Sequence, residues 1–274
     1  MSDKLVPLSN SINSFGISLY DKNEVDLSEA AKQVKRDGFT VVDSGYSTSE
    51  LVKLSKVFNQ LSTSYIQKFD ETFLKSINEF NIVRAPLSFG NSLFISLANN
   101  QQVLNVVSEL IAGKFILNQQ NCVNSFPNEN GTGDIWHRDL PYQNYISNQP
   151  LAVSAIFCVD DFTLENGATM FLPETHKRTS LPSEAYIKKK TIQVEAKAGN
   201  YILFDSMIIH KGGVNRSKST RRLVNHVYTI PYFKQQIQLS EIMSNISLTL
   251  DQKDLFGFND NVVPSISSYL SKRE

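Results

Sequence analysis

Apolar residues along the first part of the chain recur every three or four positions, which is the period of an amphipathic α-helix. The period is clearest after Ser47, where Ser47 followed by Glu50 is a pattern that begins helices. The predicted helices are 27–35, 47–69, 92–98 and 101–112. The first is predicted to be capped by Asp26 and to end at Arg36-Asp37-Gly38, and Phe39–Asp43 is predicted as a strand. This part of the chain is therefore expected to be mostly helical.

From Lys114 the pattern changes to short β-branched and aromatic runs between Gly, Pro and Asn turns. The predicted strands are Phe115–Phe126, a segment at 134–142, Leu151–Val159, Ala168–Leu172, Thr191–Ala196, Tyr201–Ile209 and Leu223–Tyr232, with a loop at 127–133. Short strands at this spacing indicate a barrel or a double-sheet jelly roll. Helical pieces return at 239–246 and 266–272, and residues 1–25 are expected to form an irregular arm.

The expected fold class is therefore mainly β, a jelly-roll core with N-terminal and C-terminal helices packed on it. The sequence shows no internal repeat and no linker, so a single domain is expected over residues 1–274. Its expected parts are a helical part at about 1–113, the β core at about 114–232 and a helical segment at about 233–274.

Charge and cysteine content narrow the expected partners and location. The 27 Lys and Arg balance 27 Asp and Glu, which gives no electrostatic reason to expect nucleic acid or an anionic membrane as a partner. The run Lys188–Lys190 is too short to change this and is expected to be a solvated loop. Cys122 and Cys158 lie in apolar runs and are predicted to be buried thiols. With no visible secretory signal or membrane-spanning run, a cytoplasmic location is expected.

The stretch from Asp134 to Tyr142 holds a His and an Asp two residues apart, His137 and Asp139. In an extended strand such residues point to the same face, so the imidazole and the carboxylate can converge on one point. Nitrogen and carboxylate ligands together are typical of a divalent metal such as Fe(II), if a third ligand comes from elsewhere. The pair alone is a weak signal, because a His–Asp hydrogen bond in a loop explains it equally well.

His210 is the best placed of the other histidines to supply the third ligand. It follows the apolar run Tyr201–Ile209 and precedes Lys211-Gly212-Gly213, so it is expected at the end of a buried strand that faces the barrel mouth. Arg221 follows at the start of the next predicted strand. His176 is expected to be a structural turn residue and His226 a buried core residue.

In this order, the motifs resemble the phytanoyl-CoA dioxygenase family of Fe(II)- and 2-oxoglutarate-dependent oxygenases. The resemblance rests on His137-Arg138-Asp139, then Glu165-Asn166-Gly167-Ala168-Thr169 running into Leu172-Pro173-Glu174-Thr175-His176-Lys177, then His210 with Arg221. It is densest over about residues 115–232, and Glu174-Thr175 stands where relatives often carry Gly-Ser. The resemblance implies a cupin-like, double-stranded β-helix core.

The resemblance also implies the site and its chemistry. His137, Asp139 and His210 are the expected Fe(II) ligands and catalytic residues. Arg221 is expected to bind the distal carboxylate of 2-oxoglutarate, because a guanidinium pairs with a carboxylate through two hydrogen bonds. The family uses O2 to convert 2-oxoglutarate to succinate and CO2 while it oxidises a C–H bond. Related halogenases have Gly or Ala at the position of Asp139, so the Asp favours hydroxylation over halogenation.

Six further candidates each carry two interpretations. Thr169 either donates its hydroxyl to 2-oxoglutarate or is an ordinary strand residue. Asn124 and Gln120 lie on one face of the same predicted strand and are expected to face the barrel interior. The resemblance makes Asn124 a candidate for the 1-carboxylate end of the cosubstrate and Gln120 a candidate for substrate or cosubstrate, and the alternative for both is an amide that lines the barrel and bonds to backbone. Arg84 either holds an anionic group or forms a surface salt bridge. Around the metal motif, Trp136 and Tyr142 either shape the pocket mouth or pack, and Arg222 is expected on the opposite face from Arg221.

The expected partner is a small-molecule substrate whose C–H bond is hydroxylated. Desaturation, epimerisation or ring formation with the same cofactors remains an alternative, and so does a non-catalytic metal-binding jelly-roll module. The neutral net charge of the chain disfavours an acyl-CoA substrate. Specificity is expected to lie in residues 70–100, 127–135 and 143–150 and in the C-terminal segment.

Overall fold

The computed structural model describes residues 27–128 and 135–271. Its strands are β1 (Phe39–Asp43), β2 (Ile82–Arg84), β3 (Ile116–Ser125), β4 (Ala152–Cys158), β5 (Met170–Phe171), β6 (Ile192–Gln193), β7 (Asn200–Asp205), β8 (His210–Lys211) and β9 (Arg221–Thr229). A large sheet has the order β1-β7-β4-β9-β3-β2, and a small sheet has the order β6-β5-β8. Neighbouring strands are antiparallel in both sheets. The predicted jelly-roll core is confirmed.

The helices lie before, between and after these strands. They are α1 (Glu29–Asp37), α2 (Thr48–Phe69), α3 (Glu71–Ser76), α4 (Ser92–Ala98), α5 (Gln101–Leu110), α6 (Glu184–Lys190), α7 (Leu239–Ile242), α8 (Leu250–Leu255) and α9 (Ile266–Ser271). The start of α2 is confirmed, since the Ser47 hydroxyl accepts from the Glu50 N–H and the Glu50 carboxylate accepts from the Ser47 N–H. The cap of α1 is Ser28, and Asp26 lies outside the described residues.

One face of the large sheet is covered by helices. Phe58 of α2 and Val107 of α5 belong to the same buried cluster as Phe157 of β4. Two buried tyrosines of the sheet bond to the end of α4, because the hydroxyl of Tyr201 donates to the Leu97 carbonyl and that of Tyr228 to the Ala98 carbonyl, each at 2.9 Å. These bonds satisfy carbonyl groups that a helix end leaves without an internal partner.

The other face of the large sheet points towards the small sheet. Ile156 and Phe204 of the large sheet share a second buried cluster with Phe171 of the small one. Cys122 and Cys158 are buried on opposite faces and form no disulfide. Burial raises the pKa of both thiols, so the prediction of two buried thiols is confirmed.

Two predicted strands around the metal motif are corrected. The run Tyr201–Ile209 is divided, because the chain turns after β7, where the Asp205 carboxylate accepts from the Met207 N–H and the Asp205 carbonyl from the Ile208 N–H. His210 therefore begins the separate strand β8. The segment at 134–142 is not a regular strand, since its described residues contribute only an isolated bridge between His137 and His210.

Other boundaries also differ from the pattern. The strands predicted at Ala168–Leu172 and Thr191–Ala196 shorten to the two-residue strands β5 and β6, and the helix predicted at 239–246 shortens to α7. Helices α3, α6 and α8 were not predicted, and Lys188–Lys190 forms the last turn of α6 instead of a loop. The predicted arm at 1–25 and residues 129–133 of the predicted loop lie outside the described residues. Among the described helices, none combines the length and apolar character needed to cross a membrane.

Candidate metal centre

Three side chains from two parts of the chain converge at one point. One ligand atom each from His137, Asp139 and His210 lies within 4.8 Å of the other two. Oδ1 of Asp139 is 3.8 Å from Nε2 of His137 and 3.6 Å from Nε2 of His210. The convergence depends on backbone bonds, because His137 and His210 exchange N–H···O=C bonds and the Asp139 N–H donates to the Ser206 carbonyl.

Both histidines direct the same nitrogen to the centre. Nδ1 of His137 lies 2.8 Å from the Ile135 carbonyl, and Nδ1 of His210 lies 3.1 Å from the Ile208 carbonyl. A carbonyl can only accept, so each Nδ1 carries the proton and each Nε2 keeps a lone pair. Burial lowers the pKa of His210, which favours the neutral, ligating form of its imidazole.

The Asp139 carboxylate is also oriented by a hydrogen bond. The hydroxyl of Ser154 on β4 donates to Oδ2 of Asp139, and the hydroxyls of Ser154 and Ser206 lie 2.7 Å apart. Oδ1 is therefore the oxygen left to face the imidazoles. Hydrogen bonds of this kind orient metal ligands and tune their basicity.

Arg138, between the candidate ligands His137 and Asp139 in sequence, points away from them. Its guanidinium donates to the carbonyls of Met207, Arg178 and Thr179 at 2.8, 2.6 and 2.9 Å. These bonds tie the metal motif to the turn before His210 and to the chain after β5. Arg138 therefore holds together the segments that carry the three candidate ligands.

Residues around His210 fix its strand and ring. The Thr175 hydroxyl accepts from the Ile209 N–H and donates to the Leu172 carbonyl. Phe171 stacks against the His210 ring at 5.6 Å between centroids. Thr175 belongs to the Pro173–Lys177 motif, so that motif supports the strand of His210.

The metal motif opens into a cavity of about 590 Å³ inside the barrel. The cavity is lined by the triad, by Lys75, Asn78, Phe80, Asn81 and Ile82 from the segment around β2, by Val123, Asn124, Ser125 and Phe126, and by Ile156, Thr169, Phe204, Gly212, Arg221, Leu223 and Asn225. Asp139 is the acidic residue in this lining, while Lys75 and Arg221 are basic. The volume falls within the usual range for small-molecule sites.

Arg221 is buried at the start of β9 and is held by the Glu165–Thr169 motif. Its Nε donates to the Asn166 carbonyl at 3.0 Å, and its guanidinium lies 4.2 Å from the centroid of Phe162. Gly167 has φ +78°, and a Cβ there would lie 2.3 Å from the Gly213 carbonyl oxygen. Glycine is therefore required for the loop after His210 to approach the motif.

Arg222 points to the opposite face, as expected from strand alternation. Its guanidinium forms two hydrogen bonds with Asp160, at 2.9 and 2.6 Å, and donates to the Ser55 carbonyl and to Oδ1 of Asn59 on α2. The two adjacent arginines therefore serve different regions, one the cavity and the other the helical layer.

The structure corrects the expected placement of Gln120. Its amide is buried towards the helices, where Oε1 accepts from the Leu87 N–H and Nε2 donates to the Phe94 carbonyl. Nε2 also lies 2.9 Å from His226. Gln120 does not line the cavity, so the prediction that it faces the barrel interior is wrong.

Thr169 and Asn124 both line the cavity, and their proposed cosubstrate contacts stay predictions. Thr169 is buried on the side of the small sheet. Asn124 pairs with Arg222 in the register of β3 and β9, so by strand alternation it shares the helix-facing side and meets the cavity at its rim. The inner face of β3 instead carries Asn121 and Val123.

The remaining histidines have structural positions. His176 lies against the C-terminus of α1, with Nε2 3.2 Å from the Lys35 carbonyl. His226 is fully buried under the helices, with Nδ1 3.1 Å from the Ala155 carbonyl. Both assignments made from the sequence are confirmed.

Three other candidates remain, and their contacts favour one interpretation for Arg84. The Arg84 guanidinium forms two hydrogen bonds with Glu79, which is the salt-bridge interpretation. Trp136 lies under the Lys211 ammonium group at 5.2 Å from the ring centroid. Tyr142 is 93% exposed, so it packs against nothing in the described part of the chain.

Two polar residues of the site carry no sequence signal. Ser154 lies in a wholly buried strand, and Asn225 lies in the last strand of the core. Neither belongs to a spaced motif, so the sequence pattern did not single them out. Only strand pairing brings Ser154 to the triad and Asn225 into the cavity.

The sequence matches a known protein family over most of its length. The family model described as phytanoyl-CoA dioxygenase matches residues 34–223, which include the triad and Arg221. The chain belongs to the phytanoyl-CoA dioxygenase family. The match also covers β1, β2 and helices α2 to α5, beyond the motif-rich core.

Similar curated proteins fall into two groups. Uncharacterized protein Rv1501 of Mycobacterium tuberculosis is 26% identical over 258 residues, which cover 90% of this chain and 93% of that protein. Dioxygenase hkm4 of Aspergillus hancockii is 33% identical over 96 residues, which cover 32% of this chain and 31% of that protein. The first likeness extends over nearly the whole chain, and the second is local.

Solved structures share the fold at low sequence identity. EctD from S. alaskensis, crystallised with 2-oxoglutarate and 5-hydroxyectoine, is 20% identical, with 82% of this chain and 81% of EctD covered and a TM-score of 0.60. The epimerase SnoN, in complex with Fe3+, alpha ketoglutarate and nogalamycin RO, is 16% identical, with 76% and 86% covered and a TM-score of 0.58. These likenesses establish the architecture.

Proposed function

We propose that the protein is an Fe(II)- and 2-oxoglutarate-dependent dioxygenase that hydroxylates an unactivated C–H bond of a small-molecule metabolite. The observation that carries the proposal is the convergence of His137, Asp139 and His210 in a cavity that also contains Arg221. Family membership, the Fe3+ and alpha ketoglutarate bound by SnoN and the 2-oxoglutarate bound by EctD support the same assignment.

The donor set fits iron. Two neutral imidazoles and one carboxylate are the donors of facial Fe(II) sites, which leave further positions open for cosubstrate and O2. Among the described residues the group has no fourth His, Cys, Asp or Glu, which disfavours a structural zinc site with four protein ligands. Each imidazole is already fixed in the tautomer that ligation requires.

When bound, Fe(II) and 2-oxoglutarate supply the oxidising chemistry: the keto acid loses CO2 to become succinate, one oxygen atom of O2 enters succinate, and the other enters the C–H bond. Arg221 holds the distal carboxylate, because its buried guanidinium offers several donors to an anion in a low-dielectric setting. The hydroxyl of Thr169 is a further donor in the same cavity. Apolar walls formed by Ile156, Phe204 and Leu223 exclude water from the reacting region.

The mouth of the cavity is the proposed specificity region. Lys75, Asn78 and Phe80 come from the segment 70–100 and line the side of the cavity around β2. Phe80 stacks on Phe126 at 5.7 Å between ring centroids, which gives this side an aromatic wall. The segment expected to determine specificity therefore borders the space available to a substrate.

Another oxidative outcome with the same cofactors is the second candidate. SnoN is described as an epimerase, and SnoK, described as a carbocyclase, covers 82% of this chain and 92% of its own at 15% identity with a TM-score of 0.58. Product analysis separates the candidates, because hydroxylation adds one oxygen atom to the substrate, whereas desaturation, epimerisation and ring closure by C–H oxidation need add none. A non-catalytic metal-binding module would consume no 2-oxoglutarate.

Succinate release tests the proposed function directly. Protein supplied with Fe(II), ascorbate, O2 and 2-oxoglutarate is expected to release succinate, and addition of substrates should increase the rate. His137→Ala should abolish release, because it removes one of three metal ligands. His176→Gln is the matched control, since His176 lies outside the cavity and should leave release unchanged. Folded wild-type protein that releases no succinate, or equal release by His137→Ala, would contradict the proposal.

A further inference from the structure

We infer that Asn225 is a cosubstrate-binding residue whose carboxamide holds the metal-proximal carboxylate of 2-oxoglutarate. The inference rests on the function proposed above and assigns a role to a residue outside the recognised motifs. Asn225 lies on β9 four residues after Arg221, and residues an even number apart on a strand share a face. Both residues line the cavity that contains the triad.

The strand register places Asn225 between the metal triad and Arg221. Asn225 pairs with Ile156 of β4, two residues after Ser154, whose hydroxyl bonds to Asp139. Arg221 lies about 13 Å further along β9, four residues at strand rise, and its long side chain spans part of that distance. A five-carbon dicarboxylate that extends from the triad to the Arg221 guanidinium therefore passes Asn225, with its metal-proximal end nearer to this residue.

In the described part of the chain, Oδ1 of the Asn225 carboxamide is buried and accepts no hydrogen bond. Asn121, directly opposite on β3, also has a buried Oδ1 without a partner among the described residues. The surrounding inner face is apolar, with Val123 and Leu223 as neighbours. Buried polar groups are rarely left unpaired unless they serve a ligand, water or ion, so two carboxamides at this place indicate a polar ligand.

A carboxylate suits this carboxamide. Rotation about the Cβ–Cγ bond exchanges Oδ1 and Nδ2, so the Asn225 amide can present its two N–H donors to the ligand. Hydrogen bonds to charged groups are stronger than those between neutral groups. The amides suggested by the sequence are less well placed. Gln120 uses its amide on Leu87 and Phe94, on the helical side, and Asn124 shares the face of Arg222. Asn225 is the carboxamide that shares both the strand and the face of Arg221.

Equilibrium binding of 2-oxoglutarate tests the inference without turnover. Asn225→Leu removes both donors and keeps the branched side chain with the same number of heavy atoms. In protein loaded with Fe(II) under anaerobic conditions, the Kd for 2-oxoglutarate should rise about tenfold or more, as expected for a lost hydrogen bond to a charged group. The affinity for Fe(II) without 2-oxoglutarate should stay unchanged. Asn118→Leu is the matched control, because the Asn118 amide lies outside the cavity lining and donates to the Lys234 carbonyl, and its Kd should stay near the wild-type value.

Pyruvate identifies which end of the cosubstrate Asn225 holds, because it keeps the keto acid end and lacks the distal carboxylate. Asn225→Leu should raise the Kd values for pyruvate and 2-oxoglutarate by the same factor, whereas Arg221→Met should raise only the Kd for 2-oxoglutarate. If Asn225→Leu does not fold, Asn225→Ser is expected to change both Kd values in the same way. Unchanged 2-oxoglutarate affinity in a folded Asn225 variant, or a loss confined to 2-oxoglutarate, would overturn the assignment. Wild-type protein that binds Fe(II) but no 2-oxoglutarate would instead contradict the proposed function, and this assignment with it.

Discussion

The hydroxyl of Ser154 donates a hydrogen bond to Oδ2 of Asp139, and Oδ1 of the same carboxylate faces both imidazoles of the triad. Ser154 is fixed in the middle of the large sheet, where it pairs with Phe204 on one side and Val227 on the other. The centre of the large sheet therefore determines the orientation of the candidate carboxylate ligand.

Loss of this hydroxyl should weaken metal binding. Ser154→Ala frees the carboxylate to rotate, and the loss of such a supporting hydrogen bond typically costs about tenfold or more in metal affinity. The Kd for Fe(II) or Co(II), measured by anaerobic titration, checks this. Ser206→Ala is the matched control, because it removes the neighbouring hydroxyl but leaves the bond between Ser154 and Asp139. Equal affinities for wild type and Ser154→Ala would show that the hydroxyl does not orient the ligand.

Substitution of Arg221 should mainly affect 2-oxoglutarate binding, whereas substitution of Arg222 should mainly affect the free energy of unfolding. Arg221→Met is expected to raise the Kd for 2-oxoglutarate by about tenfold or more, because a charged hydrogen-bond partner of the distal carboxylate is lost. Its thermal unfolding should change less than that of Arg222→Met. The binding titration and the unfolding curve of each variant are the two measurements.

Arg222→Met is the complementary variant. It removes two hydrogen bonds to Asp160 and those to α2, so the free energy of unfolding should fall by about 2 kcal/mol. The affinity for 2-oxoglutarate should stay at the wild-type level in the folded fraction. Reversal of the two patterns would contradict the assignment of one arginine to the cavity and the other to the helical layer.

The backbone at Glu174 offers a test of the Pro173–Lys177 turn. Glu174 has φ 64°, in the left-handed region that non-glycine residues rarely adopt. Glu174→Gly should therefore raise the free energy of unfolding by about 1 kcal/mol, because glycine adopts this conformation without strain. Glu174→Ala, which keeps a Cβ, is the control and should bring no such gain. Chemical denaturation measures both, and an equal gain from both variants would rule out the backbone explanation.

His226 should make stability depend on pH. Burial lowers the pKa of His226 to about 4, from 6.5 for an exposed histidine. As pH falls from 6.5 towards 4, the unfolded chain binds a proton that the folded chain does not, so the contribution of His226 to stability is full above about pH 6.5 and declines below it. The pKa difference corresponds to about 3 kcal/mol at the acid end.

A variant isolates this contribution from that of Asp205. Burial raises the pKa of Asp205 to about 6, so its folded form binds a proton more tightly than the unfolded chain and acts in the opposite direction between about pH 4 and 6. The difference in unfolding free energy between wild type and His226→Asn cancels the Asp205 term. That difference should shrink as pH falls from 7 to 4.5. A constant difference would mean that His226 titrates normally in the folded protein.

The sequence predicts that the candidate ligands converge, but the structural cause of the convergence differs from the predicted one. His137 and Asp139 were expected to share the face of a regular strand. The structure brings them together through single backbone bonds to His210 and Ser206. Spacing along the chain indicates which residues can converge, but it does not reveal which distant backbone groups hold them.

Gln120 shows where pattern reasoning fails. Gln120 and Asn124 were correctly placed on one face of β3, but the large sheet is buried on both faces, under helices on one side and inside the barrel on the other. The alternation of side chains along a strand identifies the residues that share a face. It does not indicate which of two buried faces lines the cavity. Asn225 and Ser154 escaped prediction for a related reason, since single polar residues in apolar strands acquire their role only through pairing.

Short strands were also beyond the sequence pattern. The strands β5, β6 and β8 have two residues each, too few for a period to be measured. Helix α2, with 22 residues and a complete capping box, was predicted within a residue of its start. Long periodic segments carry many independent signals, whereas two-residue strands are specified by their partners.

An anaerobic titration with Fe(II) and then 2-oxoglutarate tests the central claim most directly, because it requires neither O2 nor a known substrate. Wild-type protein is expected to bind one Fe(II) per chain and, with iron present, one 2-oxoglutarate, with a spectroscopic change on formation of the ternary complex. His137→Ala should lose iron binding and Arg221→Met should lose most of the affinity for 2-oxoglutarate. Folded wild-type protein that binds neither ligand would contradict the account.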